Sequence, residues 1–227
     1  MGYHRFRDIT IEDMSERNIE ALYDQGFVFT RLGRGVLHQV RSVRVRLAEF
    51  TPSSENRRAL ERSSEIFLEF FRLNQFSYHW SIGKLAKDFY KVKFGPDVMS
   101  ANKIKELFSD PDRSSMNSVL VFTHAKTPVG YCLTFESPHL IHYSYPFYQH
   151  PGFDPKENKT LFNLNPPKIM GIAMLTKAVV WAKDNRKEFI YLGSIQDRRS
   201  LYKFQFKGIE WFDGNEWKQS KPRKEEI

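Results

Sequence analysis

The chain has almost no cysteine and no long apolar run. Cys132 is the single cysteine among 227 residues, which excludes an intrachain disulfide and any metal or iron–sulfur site built from cysteine alone. No stretch approaches the roughly eighteen apolar residues of a membrane span, and the opening residues MGYHRFRDITIEDM lack the apolar segment of a secretory signal. We therefore expect a reduced, cytoplasmic protein that makes no contact with a membrane.

Aromatic and basic side chains are abundant. Aromatic residues make up 15% of the chain and hydrophobic residues 41%, which is enough for a sizeable core and argues against disorder. The net charge is +8, and residues 31–62 hold eight Arg against three Glu. Such a concentration of positive charge is typical of a surface that binds a polyanion such as RNA, and also of a solvated surface of mixed charge.

Hydrophobic periodicity predicts the secondary structure. Helices are expected at 11–24, from 51 to about 73, and at 81–94, 169–182 and 199–206. Strands are expected at 27–30, 43–47, 118–124, 130–136, 140–145 and 189–193, followed by a hairpin in IEWFDGNEW. The alternation of 43–47 places Arg44 and Arg46 on one face of a half-buried strand. Loops are expected at 32–39, 109–117 and 149–167.

The order of these elements is that of a GNAT-type acyltransferase. An antiparallel meander is followed by a central helix, a strand, a helix and a last strand. We therefore expect an α+β fold with a mixed sheet and a small N-terminal α/β extension. The expected organisation is a basic N-terminal domain at 1–75, a GNAT-like domain at 76–218 and a loose tail at 219–227. A fold of this kind does not by itself define the chemistry.

Three segments resemble the arginyl-tRNA protein transferase family, which includes a bacterial leucyl-transferring branch. SVRVRLAEFTPSSENRRALER (42–62) and YLGSIQDRRSLYK (191–203) are similar to two family motifs, and FDGNEW resembles the closing one. Met170-Gly171 before the apolar helix also resembles the family pattern. The resemblance implies transfer of an amino acid, arginyl or leucyl, from aminoacyl-tRNA to the N-terminal amine of an acceptor protein, which marks that protein for degradation.

Two departures limit what the resemblance implies. The family has a cysteine-rich cluster before the first motif, and LHQVR stands there in this chain, so we expect no metal site. The family's YDP motif is replaced by His142-Tyr-Ser-Tyr-Pro146, so the identity of the donated amino acid stays open. We expect no cofactor other than the aminoacyl-tRNA co-substrate, because its ester is already activated and positioning supplies much of the rate.

The resemblance assigns substrate binding to four arginines: Arg44, Arg46, Arg57 and Arg58. Guanidinium groups would hold either an acidic acceptor N-terminus or tRNA phosphates through forked hydrogen bonds. The alternative is an exposed arginine face that makes local ion pairs with neighbouring glutamates. We expect that replacement of Arg57 and Arg58 by alanine abolishes transfer.

The candidate catalytic residues are Lys203, Tyr191 and His142. Lys203 is placed by the resemblance at the tRNA end or the reacting ester, and is otherwise an ordinary helix-surface lysine. His142 has a side chain that titrates near neutral pH and is a candidate general base, although a lone strand histidine is more often structural. Tyr191 lies on a short buried strand, where it either faces the acyl group or packs in the core.

The remaining candidates for substrate binding are Gly193, Tyr202, Lys168 and Gly171. Gly193 allows the backbone to approach the acyl group closely. Lys168 and Gly171 approach the pyrophosphate-binding pattern Q/R-x-x-G-x-G/A of acetyl-CoA dependent N-acetyltransferases, which is the main alternative function. A noncatalytic basic RNA-binding or adaptor module is the third possibility. Nearby tyrosines either stack on the terminal adenine or form core, namely Tyr143, Tyr145 and Tyr148.

Overall fold

A computed structural model describes residues 4–149, 168–223 and 226. Its helices are α1 (Glu16–Asp24), α2 (Ser54–Arg62), α3 (Trp80–Phe94), α4 (Ala101–Ser109) and α5 (Lys168–Asp184), with 3₁₀ helices at Leu73–Gln75 and Arg198–Gln205. Its strands are β1 (Arg7–Thr10), β2 (Phe27–Phe29), β3 (Val36–Gln39), β4 (Ser42–Arg46), β5 (Ile66–Arg72), β6 (Ser118–His124), β7 (Thr127–Glu136), β8 (Leu140–Tyr148), β9 (Phe189–Ser194), β10 (Ile209–Phe212) and β11 (Trp217–Lys218).

The strands form two sheets. A three-stranded sheet has the order β1-β3-β2, and an eight-stranded sheet has the order β11-β10-β4-β9-β8-β7-β6-β5. Strands β6, β7 and β8 form the antiparallel meander expected from the sequence, and β9 returns parallel to β8 after α5. This is the α+β fold predicted from the sequence, with an antiparallel meander, a central helix and a mixed sheet in the GNAT-like order.

The large sheet extends across the expected domain boundary. Strands β4 and β5 come from residues 1–75, yet β4 pairs with β9 and β10, and β5 pairs with β6. The division into 1–75, 76–218 and 219–227 stays a prediction. Helix α2 packs on α5, and Phe70 of β5 stacks on Trp181 of α5 with ring centroids 4.9 Å apart.

Several elements differ from the sequence-based expectation. The helix expected to continue to residue 73 ends at Arg62, because the backbone turns at Ser63 and IFLEFFR then forms the edge strand β5. Residues 36–39 form β3 rather than a loop, and 101–109 form α4, which was not predicted. The expected helix at 199–206 is a 3₁₀ helix. Strand β4 lies inside the sheet between β9 and β10, and four of its five residues are buried rather than alternately exposed.

Candidate active site

Strands β8 and β9 separate in the middle of the large sheet. Their parallel pairing covers three residue pairs and ends at His142 and Tyr191. Beyond that point β8 continues to Tyr148, whereas β9 reaches Ser194, which pairs with Ser42 of β4 instead. Gly193 has a φ of +75°, a conformation that favours glycine, and it lies where the two strands have parted. The result is an opening in the sheet, which we call the strand cleft.

Lys203 projects into the strand cleft from the 3₁₀ helix Arg198–Gln205. Its side chain is buried, and Nζ donates a hydrogen bond of 2.8 Å to the carbonyl of Ser194. A methyl group on Gly193 would lie 3.8 Å from Nζ, so the amine lies beside that glycine. Burial lowers the pKa of Lys203 to about 8, against the opposing charge of Asp197. A fraction of this amine is therefore neutral near physiological pH, and a neutral amine can accept a proton.

His142 is buried on β8, and its contact with Tyr23 determines the tautomer of the imidazole. The Tyr23 hydroxyl accepts the backbone N–H of Phe29 at 3.2 Å and lies 3.0 Å from His142 Nδ1. Burial, together with the charge of Lys203, lowers the pKa of His142 to about 3. The imidazole is therefore neutral. Because the Tyr23 oxygen already accepts the Phe29 N–H, we infer that its one hydroxyl hydrogen bonds Nδ1, which places the ring proton on Nε2.

This tautomer changes the role expected for His142. In this tautomer Nδ1 already accepts a hydrogen bond and Nε2 carries the proton. The imidazole can therefore donate a hydrogen bond but has no free lone pair to accept a proton. The sequence-based assignment of His142 as a general base is therefore not supported. A neutral N–H donor next to an opening instead suits stabilisation of a developing oxyanion.

Tyr191 is buried and supports the site without entering it. Its hydroxyl accepts a hydrogen bond of 3.2 Å from Arg44 Nη1, and its ring meets that of Tyr23 edge-on at 4.9 Å. Burial raises the pKa of Tyr191 to about 12, against the nearby charge of Arg44. Tyr191 therefore remains protonated, and its contacts fix the position of β9 relative to α1.

The guanidinium group of Arg44 is engaged in contacts within the protein. Its side chain is 5% exposed, and it bonds Glu210 through Nε at 2.8 Å and Asp24 through Nη1 at 2.7 Å. The guanidinium also lies between two rings, 4.1 Å from the centroid of Phe189 and 3.8 Å from that of Trp217. These contacts leave the guanidinium little capacity for a ligand, so the structure favours a supporting role for Arg44 over the predicted substrate binding.

Arg46 shares the same buried carboxylate. Its Nη2 lies 2.8 Å from Glu210 Oε1, and its Nε lies 3.3 Å from Glu49. Burial alone would raise the pKa of Glu210, but the hydrogen bonds from Arg46 and Arg44 outweigh burial and lower it. As predicted, the two arginines lie on one face of β4, although that face meets Glu210 rather than solvent.

Tyrosines line the side of the strand cleft where α5 begins. Burial is the main cause that raises the pKa of both Tyr143 and Tyr148. Tyr202 adds to the shift of each, after Cys132 in the case of Tyr143, which places Tyr202 near them. A methyl group on Gly171 would lie 3.2 Å from the Tyr148 hydroxyl, so α5 needs glycine there to approach β8. Tyr202 is 53% exposed and lies at the entrance. The side chain of Lys168 lies outside the described residues, as do the residues of the expected loop from 150 to 167.

The Tyr143 hydroxyl is a buried polar group without a hydrogen bond. Tyr143 is 6% exposed, and its hydroxyl has no hydrogen-bond partner within the part of the chain that the structure describes. An unsatisfied buried hydroxyl costs on the order of 1–3 kcal/mol, so such groups are uncommon in folded proteins. A ligand in the strand cleft that bonds this oxygen would remove that cost.

Arg57 and Arg58 lie outside the strand cleft. Both are exposed on α2, and Arg57 Nη1 donates to the carbonyl of Pro52 at 2.8 Å. The preceding residue, Asn56, donates to Gln205 at 3.3 Å, which joins α2 to the 3₁₀ helix that carries Lys203. The structure thus brings Lys203, His142, Gly193, Tyr202 and Gly171 together and leaves the arginine pair on an adjacent helix.

Three residues of this site were not identified from the sequence. Tyr23 contacts His142, which is 119 residues away, and Ser194 contributes its backbone carbonyl to Lys203, so no local pattern marks either residue. Asp197 could have been found, because its side chain accepts the N–H of Arg199 and so caps the helix that holds Lys203. An acidic residue just before a helical segment is a recognised start signal.

Residues 4–149, 168–223 and 226 contain neither a metal-binding cluster nor a membrane-spanning helix. No group of three His, Cys, Asp or Glu side chains there is arranged to hold a metal ion. No helix within those ranges combines the length and the apolar character needed to cross a bilayer.

Comparison with known proteins gives no family. No family model matches the sequence, and no curated protein matches it. Among solved structures, the chain is similar to the C-terminal domain of a lysylphosphatidylglycerol synthetase from Agrobacterium fabrum, with 11% identity, a TM-score of 0.49, and coverage of 84% of this chain and 55% of that chain. L-PGS from Bacillus licheniformis shows 14% identity and a TM-score of 0.46, with coverage of 84% of this chain and 56% of that chain. FemX shows 8% identity and a TM-score of 0.45, with coverage of 86% of this chain and 65% of that chain. The chain therefore spans little more than half the length of the first two.

Proposed function

We propose that this chain transfers an amino acid from aminoacyl-tRNA to the N-terminal amine of an acceptor protein. The observation that carries the proposal is the position of the family-like segments in space. Strand β4 begins the segment 42–62 and lies between β9, which begins the segment 191–203, and β10, which enters FDGNEW. Segments that resemble one family and are separated by more than a hundred residues therefore form one unit beside the strand cleft.

The proposed reaction uses Lys203 and His142 at the strand cleft. The acceptor amine attacks the ester carbonyl of the aminoacyl group, a C–N bond forms, and the ester C–O bond breaks. The neutral fraction of Lys203 accepts the proton that the amine releases and then donates it to the departing ribose oxygen. His142 Nε2–H donates to the oxyanion formed at the carbonyl. No covalent enzyme intermediate is needed, because the ester is already activated.

The tyrosines and the arginine pair bind the substrates in this proposal. Tyr202, which is exposed, stacks on the terminal adenine of the tRNA. The unsatisfied Tyr143 hydroxyl bonds a polar group of the donated amino acid. Arg57 and Arg58, on the helix that contacts the Lys203 helix, hold tRNA phosphates or an acidic acceptor N-terminus. Because those two guanidinium groups are exposed, they are accessible to either ligand.

The direct test is a transfer assay. Radiolabelled arginyl-, leucyl- and other aminoacyl-tRNAs are incubated with the chain and with peptides that begin with Asp, Glu, Lys or Arg. We expect one donor to label one class of peptide, and Lys203→Met to lose at least about a hundredfold in rate, the scale of general acid–base catalysis. Lys207→Met, in an exposed lysine four residues further on, is the matched control and should retain the wild-type rate.

Two results would overturn the proposal in favour of the other candidates. Stoichiometric binding of acetyl-CoA by calorimetry, without transfer from any aminoacyl-tRNA, would identify an acetyltransferase that uses the same fold. Tight binding of charged tRNA with no modified peptide would identify a noncatalytic RNA-binding module.

A further inference from the structure

Helix α3 exposes a basic and aromatic face that the strand cleft does not use. The face consists of Trp80, Lys84, Lys87, Lys91 and Phe94. These positions are separated by four, three, four and three residues, so they lie along one side of the helix. Trp80 is 66% exposed and Phe94 is 59% exposed, at opposite ends of the row. With 1.5 Å of rise per residue, the row is about 21 Å long.

The lysines of this face differ from the arginines of residues 31–62. Several of those arginines bond protein groups: Arg44 and Arg46 share Glu210, and Arg57 bonds the Pro52 carbonyl. Lys87 and Lys91 are exposed and have no ion pair among the residues the structure describes. The positive charge of Lys87 and Lys91 is therefore available to an external anion, whereas the charges of Arg44 and Arg46 are paired with the buried Glu210.

The chemistry of the α3 face favours a nucleic acid over a membrane. The apolar side of α3, with Ile82, Ala86 and Phe89, is buried in the protein, so no continuous apolar stripe remains for insertion into a bilayer. Lysines at intervals of roughly 5–6 Å along the axis can each reach a different phosphate. Exposed aromatic rings beside them can stack on unpaired bases, as in surfaces that bind single-stranded RNA.

We propose that the α3 face binds RNA, with phosphates on Lys87 and Lys91 and unpaired bases on Trp80 and Phe94. Phe94 is already held by stacking on Tyr90, with ring centroids 5.6 Å apart, so it presents a fixed surface to a base. The inference goes beyond the transfer reaction, because it concerns RNA with or without an aminoacyl group and a surface outside the strand cleft.

The test measures binding of fluorescein-labelled deacylated tRNA, and of a single-stranded oligouridine, by fluorescence anisotropy between 50 and 200 mM KCl. For Lys87→Gln/Lys91→Gln we expect about tenfold weaker binding near 0.15 M salt, and a salt slope lower by about 1.5 to 2 because two phosphate contacts are lost. Trp80→Ala should weaken binding about fivefold or more and leave the salt slope unchanged, because stacking is not electrostatic. The control Lys207→Gln/Lys221→Gln removes the same charge from other exposed sites and should bind within about twofold of wild type.

Three outcomes would overturn the inference. Unchanged RNA binding by the α3 variants is one, and equal weakening by the control pair is another, since the effect would then be one of net charge. The third is loss of binding to phosphatidylglycerol vesicles with RNA binding retained, which would assign the face to a membrane. Circular dichroism confirms that α3 is intact in each variant. Because the probe carries no ester, a failure here is distinguishable from failure of the transfer proposal.

Discussion

The Tyr23 hydroxyl lies 3.0 Å from Nδ1 of His142, and the two residues are 119 positions apart in the sequence. Tyr23 ends the N-terminal helix α1, and His142 marks the point where β8 leaves β9. One hydrogen bond therefore joins the N-terminal region to the strand cleft and fixes the tautomer of the imidazole there. His142 is neutral in the folded protein at any pH above its pKa of about 3. With its proton on Nε2, it then acts as a hydrogen-bond donor.

Tyr23→Phe tests this relationship. The change removes the acceptor of the Phe29 N–H and the partner of Nδ1, so we expect a loss of about 1–3 kcal/mol in the free energy of unfolding. The ¹⁵N shifts of the imidazole should change from those of the Nε2–H tautomer to those of a mixture. Urea denaturation and NMR measure the two effects, and an unchanged tautomer would refute the assignment.

Tyr143→Phe is expected to behave differently although it removes the same atom. The Tyr143 hydroxyl has no hydrogen bond to the described residues, so its removal should leave the free energy of unfolding unchanged or raise it by up to about 1 kcal/mol. If this oxygen binds the donor, the KM for aminoacyl-tRNA should rise about tenfold, the value of one hydrogen bond, while Tyr23→Phe acts mainly on stability. An unchanged KM would show that the hydroxyl does not meet the donor.

Lys203 predicts a pH dependence of stability. Its pKa of about 8 in the folded protein lies below its ordinary value of 10.5, so between these values the unfolded chain binds more protons than the folded chain. Stability therefore rises with pH across this window, by at most about 3 kcal/mol for this group. The pKa values of the buried tyrosines are raised in the folded protein, so ionisation of tyrosine in the unfolded chain near pH 10 opposes this rise at the upper end of the window.

The contribution of Lys203 is isolated by comparison with Lys203→Met. Urea denaturation of both proteins at pH 7 and pH 9.5 should show that Met is the more stabilising side chain at pH 7, and that wild type recovers most of the difference at pH 9.5. Tyrosine titration is common to both proteins and cancels. A difference that does not change with pH would mean that Lys203 is charged throughout, and would remove it as a proton acceptor.

The Arg44–Glu210 pair predicts a large structural effect. Arg44→Met leaves the 3% exposed Glu210 with Arg46 as its remaining guanidinium partner among the described residues, so we expect a loss of about 3 kcal/mol or more in the free energy of unfolding at pH 7. Arg44→Met/Glu210→Met should be more stable than the single variant, because no buried charge is left unpaired. If the double variant loses as much free energy of unfolding as Arg44→Met and Glu210→Met lose together, this reasoning is contradicted.

The same pair is sensitive to acid. The pKa of Glu210 is lowered in the folded protein, so its stabilising effect is present above its ordinary value of 4.5 and is lost as the pH falls through the lower folded value. The penalty of Arg44→Met should therefore shrink in acid, which denaturation at pH 3 and pH 7 would measure.

Local patterns predicted the elements whose periodicity is unambiguous. The meander 118–145, the apolar helix after residue 168 and the hairpin at Asp213-Gly214 are each marked by alternation, helical spacing or a turn signal. The prediction failed after Arg62, where helical spacing continues from α2 but β5 has a partner in β6. Pairing with a strand more than fifty residues away decides the conformation of that segment, and no local pattern carries such information.

The sequence pointed to some residues of the candidate site, such as Lys203 and Gly193, but not to the chemistry of the site. The resemblance pointed to Lys203, but the lowered pKa depends on burial near Ser194 and His142, which the fold supplies. For Arg44 the sequence pattern suggested a role that the fold does not favour. Its alternating position indicated a ligand-binding face, yet its partner Glu210 lies 166 residues away and occupies that face. Charge patterning in a sequence does not reveal which charges the fold neutralises.

Arg57 and Arg58 provide the last test, since both are exposed arginines of the family-like segment 42–62. Arg57→Ala/Arg58→Ala should change the free energy of unfolding by no more than about 0.5 kcal/mol, because exposed side chains away from buried contacts contribute little. Transfer from aminoacyl-tRNA should be abolished. The matched control, Arg17→Ala/Arg113→Ala, removes equal charge from exposed positions outside the segment and should transfer normally. Wild-type turnover by the first variant would show that substrates reach the strand cleft without contact with α2.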